Sequence, residues 1–518
     1  MSLPPYGKRG RRGAVVTLVV AAFVLIFVMD PQGGEAQTAE RRTTEPRTAE
    51  RRTAEPRTVE PRAAEPRAAE PIDPLIDELQ ERTFRFFWDT ANPQNGLIPD
   101  RYPTPSYSSI AAVGFGLTSY PVGVERGYIT REQARDRVLT TLRFLSKAPQ
   151  GPGARGRAGY KGFFYHFLDM KTGERFGDSE LSTVDTGLLL AGALFCQSYF
   201  DGAHPDEAEI RSHVDQLYRR VDWRWAQPKG PAITLGWSPG KGFLKYDWRG
   251  YNEAMLVYLL ALASPTFPVG ADAWSEWTST YDKHWRKAFG QEFLNFAPLF
   301  GHQYTHVWLD FRKIQDGYMR QRGLDYFENS RRAVHAQQAY AISNPRRCTD
   351  YGATVWGISA SDGPADIIIE NTRGRRTFRT YSARGIDSTD DCTLAPTAAA
   401  ASIPFAPDLA IAAVREMHRR YGQHIYSKYG FLGAFNPTFT FHFDIQLRHG
   451  RAVEGFGWVA DDYLGIDQGP IVAMIENYRT GLIWKVMRKN PYVRQGLARA
   501  GFSGGWLEKD ERRHTAGR

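Results

Sequence analysis

The sequence has little cysteine. Cys196, Cys348 and Cys392 are the three residues in 518, too few for a disulfide framework, and none has zinc-site spacing. It lacks a full membrane span: the apolar run Ala14–Met29, AVVTLVVAAFVLIFVM, has 16 residues, against the ~20 that a spanning helix needs. It has no nucleophile elbow, so the serine-hydrolase arrangement built on that turn is excluded. The glycine-rich GPGARGRAG (Gly151–Gly159) sits in a polar loop, without the strand-to-helix context of a phosphate-binding loop. No EF-hand loop is present. No basic helix interleaved with aromatics is present either, so the net charge of +9 does not mark a nucleic-acid binder.

What is present begins with a signal. Lys8, Arg9, Arg11 and Arg12 precede the apolar run, and GGEAQT follows it, with Gly34 and Ala36 as small residues before a cut after Ala36. Residues 1–36 therefore read as a signal peptide or an N-terminal anchor, and the expected compartment is the periplasm or the exterior, with inner-membrane attachment as the alternative. Residues 37–71 read as a linker. From Arg42 to Pro71 six pentads (RTTEP, RTAER, RTAEP, RTVEP, RAAEP, RAAEP) contain no large apolar residue but Val59, and such a stretch cannot bury a core.

A folded domain is expected over 72–503, followed by a charged tail over 504–518. Its opening, IDPLIDELQERTFRFFW, puts Leu75, Leu79, Phe84 and Phe87 on one helical face. Further helical stretches follow, among them DAWSEWTSTYDKHWRKAF and APTAAAASIPFAPDLAIAAVREMHRRY. Very apolar helices alternate with amphipathic ones, as an inner ring wrapped by an outer ring requires. Strand signals are brief: ADIIIENT and TFTFHFDIQL. The layout predicts an all-α fold, an α/α toroid with short hairpins in its loops. A plain helical bundle is the alternative.

Aromatic content of 13%, with 13 Trp and 25 Tyr, exceeds what a core requires. Aromatic faces in a cleft are platforms for sugar rings. Four loop–helix junctions carry acids: Asp178, Glu180 and Asp185; Asp247 and Glu253; Asp387, Asp390 and Asp391; and Asp467 with Glu476. Capping of helix N-termini is the bland explanation, and it suits Ser182 and Asn252. Asp185 and Glu253 fall within a first turn beside polar and aromatic neighbours, where capping explains them less well. Paired carboxylates in different environments serve as general acid and base, and hydrolysis of a glycosidic bond needs such a pair. No metal and no cofactor is expected. Glu476 and Arg479, one helical turn apart, read as a structural pair, with each other or across to neighbouring helices.

With these motifs in hand, the chain resembles the glucoamylase-like domain family, which includes glycoside hydrolase family 144, the bacterial endo-β-1,2-glucanases. The resemblance rests on WGISASDGP (Trp356–Pro364), APTAAAASIPFAP (Ala395–Pro407), YGFLGAFNP (Tyr429–Pro437) and IDQGPIVAMIENYRTGLIWK (Ile466–Lys485). STVDTGLLLAG (Ser182–Gly192) and YNEAMLVYLLAL (Tyr251–Leu262) extend it toward the N-terminus. It implies an (α/α)6 barrel and an exported enzyme that hydrolyses β-1,2-linked glucose chains with inversion. By motif, Glu253 is the expected proton donor and Asp467 the expected base. Asp185, Glu180, Asp247, Tyr251, Trp237, Trp356, Asp391 and Gln468 are expected to bind substrate. The chain departs from the family where DDGT is expected: it reads DDCT, with Cys392 at a glycine position. Cys348 and Cys392 can pair there. The expected partner is a glucan polysaccharide or oligosaccharide. An exo-acting or transglycosylating enzyme, and a non-catalytic glycan-binding protein, are the rival readings.

Overall fold

The computed structural model describes residues 72–371, 374–386, 388–440 and 447–508. The apolar run, the pentad linker, Asp387 and most of TFTFHFDIQL lie outside the described residues.

Helices dominate, and they fall into two kinds. Ile110–Glu125, Thr183–Tyr199, Met255–Ala263, Tyr304–Trp308, Pro396–Ala400 and Gly465–Arg479 are buried on nearly every face. Pro74–Thr90, Arg131–Lys147, Pro205–Arg219, Tyr326–Ser343, Pro407–Ile425 and Pro491–Arg499 bury one face. The buried kind pack on one another: Gly465–Arg479 on Ile110–Glu125, that helix on Thr183–Tyr199, and that one on Met255–Ala263. The amphipathic kind pack outside them, Pro74–Thr90 against Gly465–Arg479 and Pro407–Ile425 against Pro396–Ala400. The alternation seen in the sequence is thus an alternation of burial. Among the described residues no helix is long and apolar enough to cross a membrane.

Two details show how the inner helices close up. A Cβ on Gly192 would lie 2.0 Å from the Gly114 carbonyl oxygen, so glycine is what lets Ile110–Glu125 and Thr183–Tyr199 touch backbone to backbone. Pro121 and Pro470 both lie inside apolar helices and leave the carbonyl four residues earlier without its N–H. Neighbours fill both gaps: Cys196 Sγ donates to Leu117 O at 3.0 Å, and Tyr304 Oη donates to Ile466 O at 2.9 Å.

The structure corrects several expectations. DAWSEWTSTYDKHWRKAF is not one helix: after Asp272–Thr278 and Tyr281–His284, Trp285–Ala288 pairs with Gln291–Leu294. Phe289 and Gly290, both at positive φ (50° and 74°), make the tight turn of that hairpin. The folded body also runs past 503, with Trp506 Nε1 donating to Asp310 O at 2.9 Å. Strands are two to five residues long and lie in the loops. Leu181–Ser182 pairs with Gly236–Ser238, which pairs with Gly242–Phe243, and Ile367–Asn371 pairs with Gly374–Phe378.

Candidate active site

The loops entering the buried helices enclose a pit of about 1610 Å³, larger than the ~300–1,000 Å³ of ordinary small-molecule sites. Glu253, Asp185, Glu180, Asp247 and Asp467 all line it.

Glu253 lies in a turn two residues ahead of Met255–Ala263, not inside its first turn as expected. Asn252 locks that turn: its Oδ1 accepts from Ala254 N at 2.9 Å and its Nδ2 donates to Arg249 O at 3.3 Å. The Glu253 Oε2 atom is buried and has no hydrogen-bond partner. Burial first, and then the Asp185 charge, push its pKa up to about 7. Asp467 sits in the first turn of Gly465–Arg479 and is 7% exposed. Its backbone is pinned, with Thr397 Oγ1 donating to Asp467 O at 3.0 Å. Burial, then Asp362 and Asp100, raise its carboxyl well above the usual range, and Arg101 opposes them. Tyr304 and Tyr381 line the same pit, and the charges of both Glu253 and Asp467 act on each of them. Neither Glu253 nor Asp467 has a cation within ion-pair distance among the described residues. A buried carboxyl of that kind is held for chemistry more readily than for stability.

Two flanking groups were not foreseen. His166, on the pit wall, bridges two acids: its Nδ1 lies 2.9 Å from Glu180 Oε1 and its Nε2 3.6 Å from Asp185 Oδ1. Burial pushes its pKa down, but Asp185 and Glu180 outweigh that and raise it to about 9. It is therefore a cation at neutral pH. Ser182 Oγ caps Thr183–Tyr199 and also donates to Asp185. On the other side, Arg101 faces three acids: Asp362 at 2.9 Å, Asp100 at 3.4 Å and Asp462 at 3.7 Å. One guanidinium serves three carboxyls there, so negative charge is left over beside Asp467. In the sequence, His166 shows only as a polar residue inside the aromatic GFFYHF, and Asp100 as an acid in LIPDRY.

The other expected site residues divide. Asp247 lines the pit with cations beside it, Lys229 at 3.7 Å and Arg249 at 3.4 Å. Tyr251 lines it too, stacked on Tyr326 at 5.8 Å with its hydroxyl 3.3 Å from Ser330. Trp237 does not reach the pit; it packs with Tyr160 and Trp225. Trp248, whose Nε1 donates to Thr183 Oγ1 at 3.0 Å, lines the wall instead. Trp356 is a fully buried core residue. Asp391 is fully buried against Arg384, at 2.7 Å and 2.9 Å, and its neighbour Asp390 lines the pit. Gln468 points away from the pit and donates to Phe431 O at 2.9 Å. Glu476 and Arg479 pair across helices, not with each other. Glu476 accepts from Gln80 at 3.0 Å and lies 3.2 Å from Arg126, and Arg479 donates to Gln80 at 2.6 Å. Cys348 and Cys392 form a disulfide. Asp390 lies close enough to both for a metal, but their sulfurs are joined to each other. Cys392 holds φ at +71°, the left-handed conformation that a glycine adopts freely.

Buried acids without an ion-pair partner and aromatic rings lining one pit are features that carbohydrate-active sites share. Comparison with known proteins gives the family. The Glycoamylase profile, described as "Putative glucoamylase", matches residues 245–491. A solved structure of the same description from Bacteroides uniformis is 33% identical, with a TM-score of 0.72, over 84% of this chain and 98% of that one. The endo-beta-1,2-glucanase of Chitinophaga pinensis, solved with sophorotriose and glucose, is 30% identical, with a TM-score of 0.70, over 83% and 98%. The exo beta-1,2-glucooligosaccharide sophorohydrolase of Parabacteroides distasonis is 30% identical over 457 residues, 82% of this chain. The chain spans 57% of the length of that curated relative. The chain belongs to the glucoamylase-like family.

Proposed function

We propose that this chain is a glycoside hydrolase that cleaves β-1,2-linked glucan in the pit, acting within the chain and with inversion. The observation that carries the reading is the pair Glu253 and Asp467: two buried carboxyls without cations, in a cavity large enough for several sugar rings. The relatives from Chitinophaga pinensis and Parabacteroides distasonis, named for β-1,2-glucans, supply the linkage. Among the described residues, helices buried on nearly every face, with amphipathic helices packed against them, support an (α/α)6 barrel as the scaffold.

Glu253, with a pKa of about 7, keeps its proton on the acid side of neutrality and gives it to the leaving oxygen, directly or through a substrate hydroxyl. Asp467 takes a proton from the attacking water. In the free protein burial and the Asp362 and Asp100 charges raise the Asp467 carboxyl well above its usual range. Substrate hydroxyls that donate to a bare carboxylate favour its ionised form, so binding acts against that rise and readies the base. Cationic His166 holds Asp185 and Glu180 on the wall beside the donor. The disulfide Cys348–Cys392 supports export to an oxidising compartment.

The test is product analysis on linear β-1,2-glucan beside β-1,3-glucan, cellooligosaccharides and starch. Mixed β-1,2-oligosaccharides appearing early support internal cleavage. Sophorose alone, released from one end, favours the exo mode named for the Parabacteroides relative. Saturable binding of the glucan with no product from any polymer would return the pit to a binding role.

A further inference from the structure

The pit carries charge of both signs. Glu253, Asp467 and their acidic neighbours line it. A stretch of wall that also holds Asp390 carries arginines from separate chain segments: Arg346 and Arg347 from the loop after Tyr326–Ser343, and Arg375 and Arg376 from the hairpin strand Gly374–Phe378. Arg375 has an exposed partner, Glu370 at 3.6 Å. Arg346 and Arg347 are exposed and have no carboxylate within ion-pair distance among the described residues.

This wall is built. The disulfide ties Cys348, directly after Arg347, to Cys392 at the pit edge. Arg376 Nη2 donates to Arg346 O at 2.6 Å, and its Nη1 contacts Cys392 Sγ. Arg347 is held at φ +53°, a backbone shape that non-glycine residues seldom take. The loop is thus fastened by the disulfide and by Arg376, with the Arg346 guanidinium beside the Tyr340 hydroxyl and both guanidinium groups lining the cavity.

Guanidinium groups pair with carboxylate and phosphate oxygens in a planar fork. A neutral glucan offers only hydroxyls. We propose that Arg346 and Arg347 form a subsite for an anionic substituent on the glucan, a carboxylate half-ester or a phosphate, carried on a sugar away from the bond that is cut. The proposal rests on the hydrolase reading for the glucan backbone. It adds that the preferred chain is acidic, with its anion seated on Arg346 and Arg347.

The test uses three probes of matched length: neutral linear β-1,2-glucan, the same glucan succinylated, and the same glucan phosphorylated. Binding is measured by calorimetry on the wild type, and KM where turnover occurs, at low salt and at 0.5 M NaCl. An exposed ion pair is worth up to about fivefold, so two give a preference of up to about thirtyfold for a charged glucan at low salt. High salt removes most of it. In Arg346→Gln with Arg347→Gln the charged-to-neutral ratio falls to about one. Preference for the succinylated or the phosphorylated probe alone names the acid group and supports the proposal. Equal binding of all three probes, or a preference that survives loss of both arginines, overturns it. Cleavage of neutral glucan with no charge preference would sink this inference and leave the hydrolase reading standing. Charge-selective binding without turnover would do the reverse.

Discussion

Two buried aspartates in this molecule have opposite fates. Asp391 is enclosed with Arg384, whose guanidinium also donates to Ser361 O at 2.6 Å and Arg379 O at 2.9 Å. Burial raises the Asp391 carboxyl, but Arg384 and its other donors outweigh that and hold it below the usual range. Asp467 is nearly as buried, has no such partner and is raised. Both follow an apolar or polar loop into a helix, and both looked like site residues. The difference is the cation. A buried acid with its base fastens loops. A buried acid left among other acids keeps a proton that it can exchange.

The largest effects should separate these two kinds. Glu253→Gln and Asp467→Asn should each cut turnover by about 10²–10⁴-fold, with an unchanged circular dichroism spectrum. Asp391→Asn should do the contrary: it leaves Arg384 buried and unpaired, costs about 3–5 kcal/mol in urea unfolding, and spares turnover in the molecules that remain folded. A smaller loss is expected at the disulfide. It closes a separation of 44 residues, and Cys348→Ser should lose about 2–4 kcal/mol without moving the pH profile.

Next comes a gain. The Glu253 carboxyl titrates near 7 in the folded chain, above its ordinary value of 4.5. The wild type therefore loses stability as pH rises from 4.5 through 7, and Glu253→Gln does not. Above pH 7 the variant should be the more stable, by up to about 3 kcal/mol, in paired unfolding curves at pH 5 and pH 8. The smallest effect is on the pH profile. Turnover should fall as pH rises through about 7, when Glu253 loses its proton. Asp185→Asn removes a charge that raises that pKa, so the alkaline limb should move to lower pH. An unmoved limb would mean that another group donates.

The two kinds of helix were legible because burial on all faces leaves a continuous apolar run, and burial on one face leaves a periodic one. The loop–helix junctions were legible too, and Glu253, Asp467, Asp185, Glu180 and Asp247 all reach the pit. Direction within a junction was not. Successive helical residues point about 100° apart, so Asp467 faces the pit and Gln468 faces Phe431. Asp390 and Asp391 divide too, on the loop ahead of Pro396–Ala400. Trp237 and Trp356 were read from aromatic content, which does not distinguish a wall from a core. His166 and Arg101 depend on partners far along the chain, and Arg101 meets Asp362 across 261 positions. No local pattern carries such a meeting.

The most direct measurement is release of reducing ends from linear β-1,2-glucan by the wild type, Glu253→Gln, Asp467→Asn and Asp391→Asn, each at equal folded concentration. The account predicts release by the wild type and by Asp391→Asn, and loss of at least about 10²-fold in the other two. Release by Glu253→Gln or Asp467→Asn at near the wild-type rate would contradict it.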